Sequence, residues 1–267
     1  MMTPLSLAPL DGAHRIRLDE LEWPALLALT PDFTPPPWLD PLVDTAPVAA
    51  VEPDAALTQA LTMQGRALVS IEVAATSDRT GLAASLWTDG SIASSVVRAT
   101  RVDPTTRPEA KVQPLPGVEI SAYPIGTLLD EIIRLIPPSR SMPREPVEVP
   151  EEFSVALARA IHHGDGRLVE TIAGDLGWSE LPSTVSDLAA GITGHLLVSV
   201  TSRSTTDVSV GSWVLTRGGW VQLQRTETGH IRHTPCSADD VRALLLSSLT
   251  GRLGAEIDRL AADGGPR

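Results

Sequence analysis

Alternating apolar and polar positions predict two similar groups of β-strands, one in each half of the chain. In the first half the pattern predicts strands at Leu68–Val73, Gly81–Trp87, Ser91–Arg101 and Val118–Ala122. In the second half it predicts strands at Leu196–Val200, Val208–Leu215, Trp220–Arg225 and His230–His233. In both groups a short turn that contains glycine joins the second strand to the third, at Thr88–Gly90 and Thr216–Gly219. Because glycine accepts a positive φ, such a turn indicates a β-hairpin in each half.

An amphipathic helix is expected to close each group. The first follows Pro124 and ends before Pro137, with the apolar positions Ile125, Leu128, Leu129, Ile132, Ile133 and Ile136. The second follows Pro235, and the pair Ser237 and Asp240 has the spacing of a capping box. Its expected apolar stripe consists of Val241, Leu244, Leu245, Leu249, Leu253, Ile257 and Leu260.

Further helices are expected ahead of the strands in both halves. They are Leu21–Leu29, Trp38–Val43 and Asp54–Gln64 in the first half, and Glu152–Ile161, Arg167–Ala173 and Thr184–Ala190 in the second. The shared order predicts an internal pseudo-twofold duplication, with half one at about 16–136, half two at about 152–262 and a Pro-rich linker at 137–151. We therefore expect one α+β domain over 1–267 with a central antiparallel β-sheet. Two unrelated α+β units of similar order are the alternative.

Charge and cysteine content limit the environments and partners of the chain. The formal net charge of −12 argues against nucleic acid and anionic membranes, which bind clusters of cations. No apolar run is long enough to cross a bilayer, and the first residues lack the pattern of a secretory signal peptide. Cys236 is the only cysteine, so an intrachain disulfide is excluded. These features predict a cytoplasmic protein.

Catalytic motifs are missing from the sequence. It contains no nucleophile elbow, no P-loop and no dinucleotide fingerprint, and we expect no cofactor. The best candidate for a metal site is His162, His163 and Asp165. Adjacent helical residues point about 100° apart, however, so the two imidazoles are poorly placed to share one ion. The competing interpretation is that the histidines end a helix before Gly164. A non-enzymatic binding function is the better expectation.

Four residues are candidates for contact with a partner protein. Trp178 lies in a loop with Gly and Pro neighbours, and Trp220 follows two glycines. Arg79 and Arg203 lie in equivalent loops between the first two strands of each group, and each is a candidate to pair with a partner carboxylate. Core packing is the alternative for a tryptophan, and it is the expectation for Trp87 and Trp213. The alternative for the arginines is a solvated turn.

The sequence resembles the EspG-type chaperones of actinobacterial type VII (ESX) secretion systems. The resemblance rests on the segment LDELEWPALLAL, on the duplicated strand–hairpin–strand–helix plan and on the closing stretch GSWVLTRGGWVQLQRTETGHIRHTPCSADDVRALLLSSL. It covers nearly the whole chain and implies one domain whose central antiparallel sheet is flanked by two helical bundles. The loop between the first two strands is shorter here than in some relatives.

This resemblance implies a cytoplasmic chaperone that binds the helical tip of the PPE protein in a PE–PPE heterodimer and keeps the pair soluble for secretion. An exposed apolar tip is an aggregation patch that a partner surface can cover. One alternative is a self-associating structural protein that pairs through an open sheet edge, and a weak homodimer also fits the chaperone hypothesis. The other alternative is a metal-dependent enzyme that uses His162, His163 and Asp165.

Overall fold

The computed structural model describes residues 13–42, 55–103, 111–140 and 143–262, without the side chains of residues 55, 56, 103 and 111. In chain order its strands are β1 (His14–Leu18), β2 (Val69–Ser77), β3 (Thr80–Thr88), β4 (Ile92–Asp103), β5 (Lys111–Pro114), β6 (Val118–Pro124), β7 (Val147–Pro150), β8 (Gly194–Ser202), β9 (Val208–Thr216), β10 (Gly219–Arg225) and β11 (His230–Cys236). Its α-helices are α1 (Glu22–Leu29), α2 (Ala55–Arg66), α3 (Leu128–Arg134), α4 (Glu151–His163), α5 (Gly166–Asp175), α6 (Ser183–Ala190) and α7 (Ala238–Ala262). Short 3₁₀ helices lie at Pro37–Leu39 and Ile125–Thr127.

Packing divides the described chain into two units. One comprises the described residues as far as Pro137, together with Val198–Val210 and those from Leu244 onward. The other comprises the described residues of Pro138–Leu197 and Gly211–Ala243. The chain therefore passes from one unit to the other within β8, β9 and α7. These boundaries differ from the halves 16–136 and 152–262, because the first unit takes two segments, Val198–Val210 and the residues from Leu244 onward, from the second half.

The first unit is built on antiparallel strands in the order β1-β6-β4-β3-β2, with β5 paired to β4. Residues 198–202 of β8 follow β2 in the strand order. One face of this sheet buries a core against α1, the 3₁₀ helix at Pro37–Leu39 and α2. Its largest members are Trp23, Leu26, Phe33, Leu39, Leu61, Met63, Trp87 and Ile120. Phe33 lies between two tryptophans of this core and packs edge-on against both Trp23 and Trp87.

The second unit pairs β10 with β9 and β11, and β11 with β7, all antiparallel. Helices α4, α5 and α6 bury their apolar stripes against one another. The fully buried members of that cluster are Leu157, Ala160, Val169, Ile172 and Val185. A smaller cluster joins Leu188 of α6 to Val214 and Val221 on β9 and β10.

All eight expected strands are present in the described part of the chain, but three more strands were not predicted. Among these, β7 lies inside the expected linker 137–151, where Val147–Pro150 pairs with β11. The interpretation of 137–151 as linker throughout is therefore wrong. Strand β7 is only four residues long, so its alternation of apolar and polar residues is too brief to detect from the sequence.

Two of the expected helices differ from the structure. The α-helix predicted at Trp38–Val43 is a 3₁₀ turn at Pro37–Leu39, and its last predicted residue lies outside the described residues. Pro36 and Pro37 have no backbone N–H, and Pro41 follows the turn at once, so an α-helical ladder does not extend here. The helix expected after Pro124 begins as 3₁₀ and is α-helical only at Leu128–Arg134. The capping residue expected at Asp54 lies outside the described residues.

Candidate partner-binding surfaces

The loop between β2 and β3 is a tight two-residue hairpin that exposes Arg79. Ser77 pairs with Thr80, and Asp78 occupies the left-handed region with a φ of 54°. The Arg79 carbonyl accepts a hydrogen bond of 3.0 Å from the Val102 N–H, which fixes the backbone of the turn. The side chain of Arg79 is solvent-exposed. The hairpin therefore presents this guanidinium at its tip.

The equivalent loop between β8 and β9 is anchored at both sides of Arg203. The backbone N–H of Ser204 donates to Glu256 of α7 at 2.9 Å, and the Ser204 hydroxyl donates to the same carboxylate. Arg252 donates to the Ser209 hydroxyl and to the Asp207 carbonyl. Burial raises the pKa of Glu256, but hydrogen bonds from Ser204 and Arg259 outweigh it and hold that pKa below its ordinary value. Arg203 itself is exposed on this anchored loop.

The structure does not bring Arg79 and Arg203 together. The Arg203 N–H donates to the Leu68 carbonyl at 2.8 Å, so Arg203 lies beside the start of β2. Arg79 follows the end of β2. Since a strand rises about 3.3 Å per residue, nine residues separate the two side chains by roughly 30 Å. The two loops therefore form two separate candidate surfaces.

Trp178 is only half-buried, in the turn between α5 and α6. Gly177 has a φ of 72°, and the Trp178 N–H donates to the Ala173 carbonyl at 2.9 Å, so the turn closes the end of α5. The indole packs against the apolar cluster of α4, α5 and α6. Part of the ring therefore stabilises this bundle, and the remainder is open to a partner.

Trp220 is buried, with 1% of its surface exposed, and the prediction that it contacts a partner is wrong. It lies on β10 between Leu215 of β9 and Cys236 of β11, so strands enclose it on both sides. Gly218 lies in the turn, Gly219 is the first residue of β10 and is buried, and Trp220 is the next buried residue of the strand. Trp87 and Trp213 are buried too, which confirms the expectation that both pack in the core.

The residues considered for a metal site serve to end one helix and begin the next. His162 and His163 are the exposed last residues of α4, and Gly164 follows in the left-handed conformation. The Asp165 carboxylate caps α5 by accepting a hydrogen bond of 3.1 Å from the Leu168 N–H. Within the described residues, no three His, Cys, Asp or Glu side chains cluster so as to hold a metal ion. This geometry favours the helix-ending interpretation of the two histidines.

Helix α7 does not bury the stripe that its sequence suggested. Val241, Leu245 and Leu249 are buried, whereas Leu244, Ile257 and Leu260 are exposed. The fully buried residue near the end of the helix is Glu256. The seven apolar residues therefore lie on different sides of α7. At about 100° per residue, exposed Leu260 lies within about 20° of buried Leu249, so angular position alone does not separate the two groups.

Among the described residues, no helix combines the length and the apolar content that a membrane crossing requires.

Comparison with known proteins identifies the fold. No family model matches the sequence, and no curated protein matches it. The structure is similar to that of the Mycobacterium tuberculosis type VII secretion system chaperone EspG5, determined in complex with a PE25-PPE41 dimer. The TM-score is 0.57 at 15% sequence identity, and the alignment covers 89% of this chain and 96% of that chain. The chain therefore has an EspG-type fold, as its sequence resemblance implied.

Proposed function

We propose that this chain is a cytoplasmic type VII secretion chaperone that binds a PE–PPE heterodimer through the helical tip of the PPE protein. The observation that supports this function is the extent of the fold likeness, which includes 89% of this chain and 96% of a chaperone bound to a PE–PPE dimer. A match over nearly all of both chains means that no large additional module of the described chain remains unaccounted for. The proposed activity is binding, without a catalytic step.

The physical task of such a chaperone is to cover an apolar surface reversibly. An exposed apolar helix tip promotes aggregation, and a partner surface removes it from water. An interface of about 800 Å² per partner is the size of many specific complexes, and a moderate affinity allows release. The net charge of −12 opposes unspecific association of the free chain.

Coexpression with a PE–PPE pair tests this function. We expect a complex with one copy of each chain, measured by size-exclusion chromatography with light scattering. The same measurement should show that the PE–PPE pair aggregates when it is expressed alone. A related pair whose PPE tip residues are replaced by polar side chains is the control, and it should not be captured. Failure of the folded chain to capture any of several pairs would exclude the proposed function.

Arg79 and Arg203 provide a matched pair of variants for locating the interface. Because they lie roughly 30 Å apart at opposite ends of β2, a single helical tip reaches only one of them. We expect either Arg79→Ala or Arg203→Ala, but not both, to weaken binding about tenfold or more in calorimetry, as the loss of an interfacial arginine does. No effect of either variant would exclude a contact at these loops, and an equal loss from both would exclude contact with only one of them; the chaperone function would stay intact in either case.

Trp178 is the candidate contact in the second unit. Trp178→Leu keeps an apolar side chain on the bundle while removing the exposed part of the indole. We expect weaker binding of the PE–PPE pair and a thermal midpoint close to that of the original protein. Leu181→Ala, which changes another residue of the same apolar cluster, is the control for an indirect effect on packing. If Trp178→Leu and Leu181→Ala bind the PE–PPE pair with the same affinity as each other, Trp178 has only a structural role.

A further inference from the structure

Helix α7 carries a second apolar stripe that its own unit does not cover. Leu246, Thr250, Leu253, Ile257 and Leu260 follow one another at intervals of four, three, four and three residues. At about 100° per residue they lie within about 80° of one another on the helix, the spacing of a coiled-coil seam. Leu246 is 48% exposed, Ile257 51% and Leu260 37%. The face that packs against the first unit, with Leu245, Leu249 and Glu256, lies about a quarter turn away.

One side of this stripe is lined by small residues. Ser247, Gly254 and Ala261 recur every seven residues beside it. A Cβ atom placed on Gly254 would meet no other atom within 4 Å, so the space beside this glycine is open. Glycine destabilises a helix interior, and small residues along a helix allow a second helix to approach closely. The stripe and its small-residue border therefore have the form of a helix-packing seam.

The two ends of the stripe are symmetric about Leu253, since Leu246 and Leu260 each lie seven residues from it, and Thr250 and Ile257 lie three and four residues from it. Reversing the direction of the helix places Leu246 where Leu260 was, and Thr250 beside the position of Ile257. A twofold interface between identical chains requires such self-complementarity, because the same patch occurs on both sides. Two copies of α7 running antiparallel, with the axis at Leu253, would bring the leucines at the two ends of the seam together.

The charges around the seam permit this pairing. The chain carries a net charge of −12, yet the stripe and its small-residue border contain no charged side chain. Arg252 and Glu256 lie about a quarter to a third of a turn away from the centre of the stripe and bind the loop of residues 202–209. Asp258 of one copy would lie level with Ser248 of the second, so no like charges meet. The seam is one surface at which two acidic molecules can approach closely.

The length of the seam limits the strength of the contact. From Leu246 to Leu260 the helix extends about 21 Å at 1.5 Å per residue. A single helix–helix contact of this length buries less than the roughly 800 Å² per partner of stable complexes. The contact is therefore reversible and dependent on concentration.

We propose that α7 is a self-association surface, on which the Leu246–Leu260 stripe of one copy packs antiparallel against the same stripe of a second copy. This proposal concerns the free protein and does not rest on the capture of a PE–PPE pair.

Two glycine variants of the same helix test the proposal. Gly254→Gln fills the border of the seam, whereas Gly251→Gln adds the same side chain about 60° farther around the helix, where the added Cβ also meets no other atom. We expect sedimentation velocity from about 10 μM to about 1 mM to show a growing dimer fraction for the original chain and for Gly251→Gln, and only monomer for Gly254→Gln. Both replacements raise helix propensity, so neither is expected to unfold the monomer.

Disulfide trapping tests the position of the axis. Leu253→Cys places a thiol on the proposed axis, where it meets its own copy, whereas Leu244→Cys places one on the opposite side of α7. We expect a disulfide-linked dimer on a non-reducing gel for Leu253→Cys only, since the native Cys236 is buried and common to both proteins.

A monomeric original chain over the whole concentration range would overturn the proposal. Equal dimer fractions for the two glutamine variants would overturn it as well, because the contact would then lie elsewhere. If Gly254→Gln abolished capture of a PE–PPE pair while the original chain stayed monomeric, the seam would belong to the substrate surface rather than to a second copy.

Discussion

At the scale of single residues, a buried ion pair connects four segments of the first unit. Arg98 is completely buried on β4, and its guanidinium donates to both oxygens of Glu20 at 3.2 and 3.3 Å. It also donates to the Asp40 carbonyl at 2.8 Å. Glu20 in turn accepts from the N–H groups of Leu42 and Gly117. Burial lowers the pKa of Arg98, and Glu20 and Asp40 oppose that effect by stabilising the charged form.

Removing the charge of Glu20 should therefore destabilise the fold strongly. We expect Glu20→Gln to lower the free energy of unfolding by about 3–5 kcal/mol in chemical denaturation, because the buried guanidinium loses its counter-ion. Glu148→Gln is the matched control, since its partner Arg232 and Glu148 are about half-exposed. That change should cost less than about 1 kcal/mol. Similar losses for both variants would show that burial does not control the strength of these pairs.

A second residue-scale prediction concerns the dependence of stability on pH. His233 is buried on β11 beneath α4, with Nε2 at 3.1 Å from the Ser154 hydroxyl, and burial lowers its pKa. The unfolded chain then binds more protons than the folded one at pH values between the folded pKa and the unfolded value of about 6.5. The contribution of His233 to stability is present in full above that unfolded value and is lost as the pH falls towards the folded pKa.

We expect the free energy of unfolding to fall between pH 7 and pH 5, and His233→Gln to flatten this decline. His163→Gln is the control, because His163 is exposed at the end of α4. Denaturation series at several pH values measure both slopes. A slope that His233→Gln leaves unchanged would assign the acid sensitivity to other groups.

At the scale of elements, the N-terminus of α7 has the capping arrangement that its local sequence predicted. The Ser237 hydroxyl accepts a hydrogen bond from the Asp240 N–H at 3.1 Å, and the Asp240 carboxylate accepts one from the Ser237 N–H at 2.7 Å. This reciprocal arrangement confirms the capping box. The hydrogen bonds from the Ser237 backbone and hydroxyl lower the pKa of Asp240.

We expect Ser237→Ala to reduce the free energy of unfolding by about 1 kcal/mol, since the helix loses an N-cap. Ser247→Ala, at an exposed position inside the same helix, should change it by less than about 0.5 kcal/mol and in the stabilising direction. Urea denaturation of the two variants makes the comparison. A cap variant as stable as the original chain would mean that α7 is held by packing alone.

At the scale of the whole molecule, neither half of the sequence makes a complete unit. The first unit includes residues 198–202 of β8, where Thr201 donates to the Ser70 carbonyl on β2, and the next residue, Arg203, donates to the carbonyl of Leu68 just before β2. A fragment of residues 1–137 lacks this strand and α7. We expect it to aggregate or oligomerise in light scattering, because the β2 edge is left unpaired. A monomeric fragment that melts cooperatively would contradict this, and the full chain is the control.

The candidate surfaces could be predicted only in part. The sequence indicated that the loops containing Arg79 and Arg203 are exposed, because both join predicted strands. It did not reveal that they lie at opposite ends of β2, since that follows from antiparallel pairing between distant segments. The same limit explains Trp220, whose burial depends on tertiary packing that its local sequence does not specify. The internal duplication and the two flanking bundles stay predictions.

By itself, the sequence determined the features that short-range physics controls. The eight predicted strands, the capping box of α7 and the absence of strong catalytic motifs follow from periodicity, turn residues and side-chain chemistry within a few positions. Only the tertiary structure decided which stripe of α7 is buried, that 147–150 is a strand, and which tryptophans are enclosed. Burial depends on what packs against a residue from far along the chain, and local spacing does not contain that information.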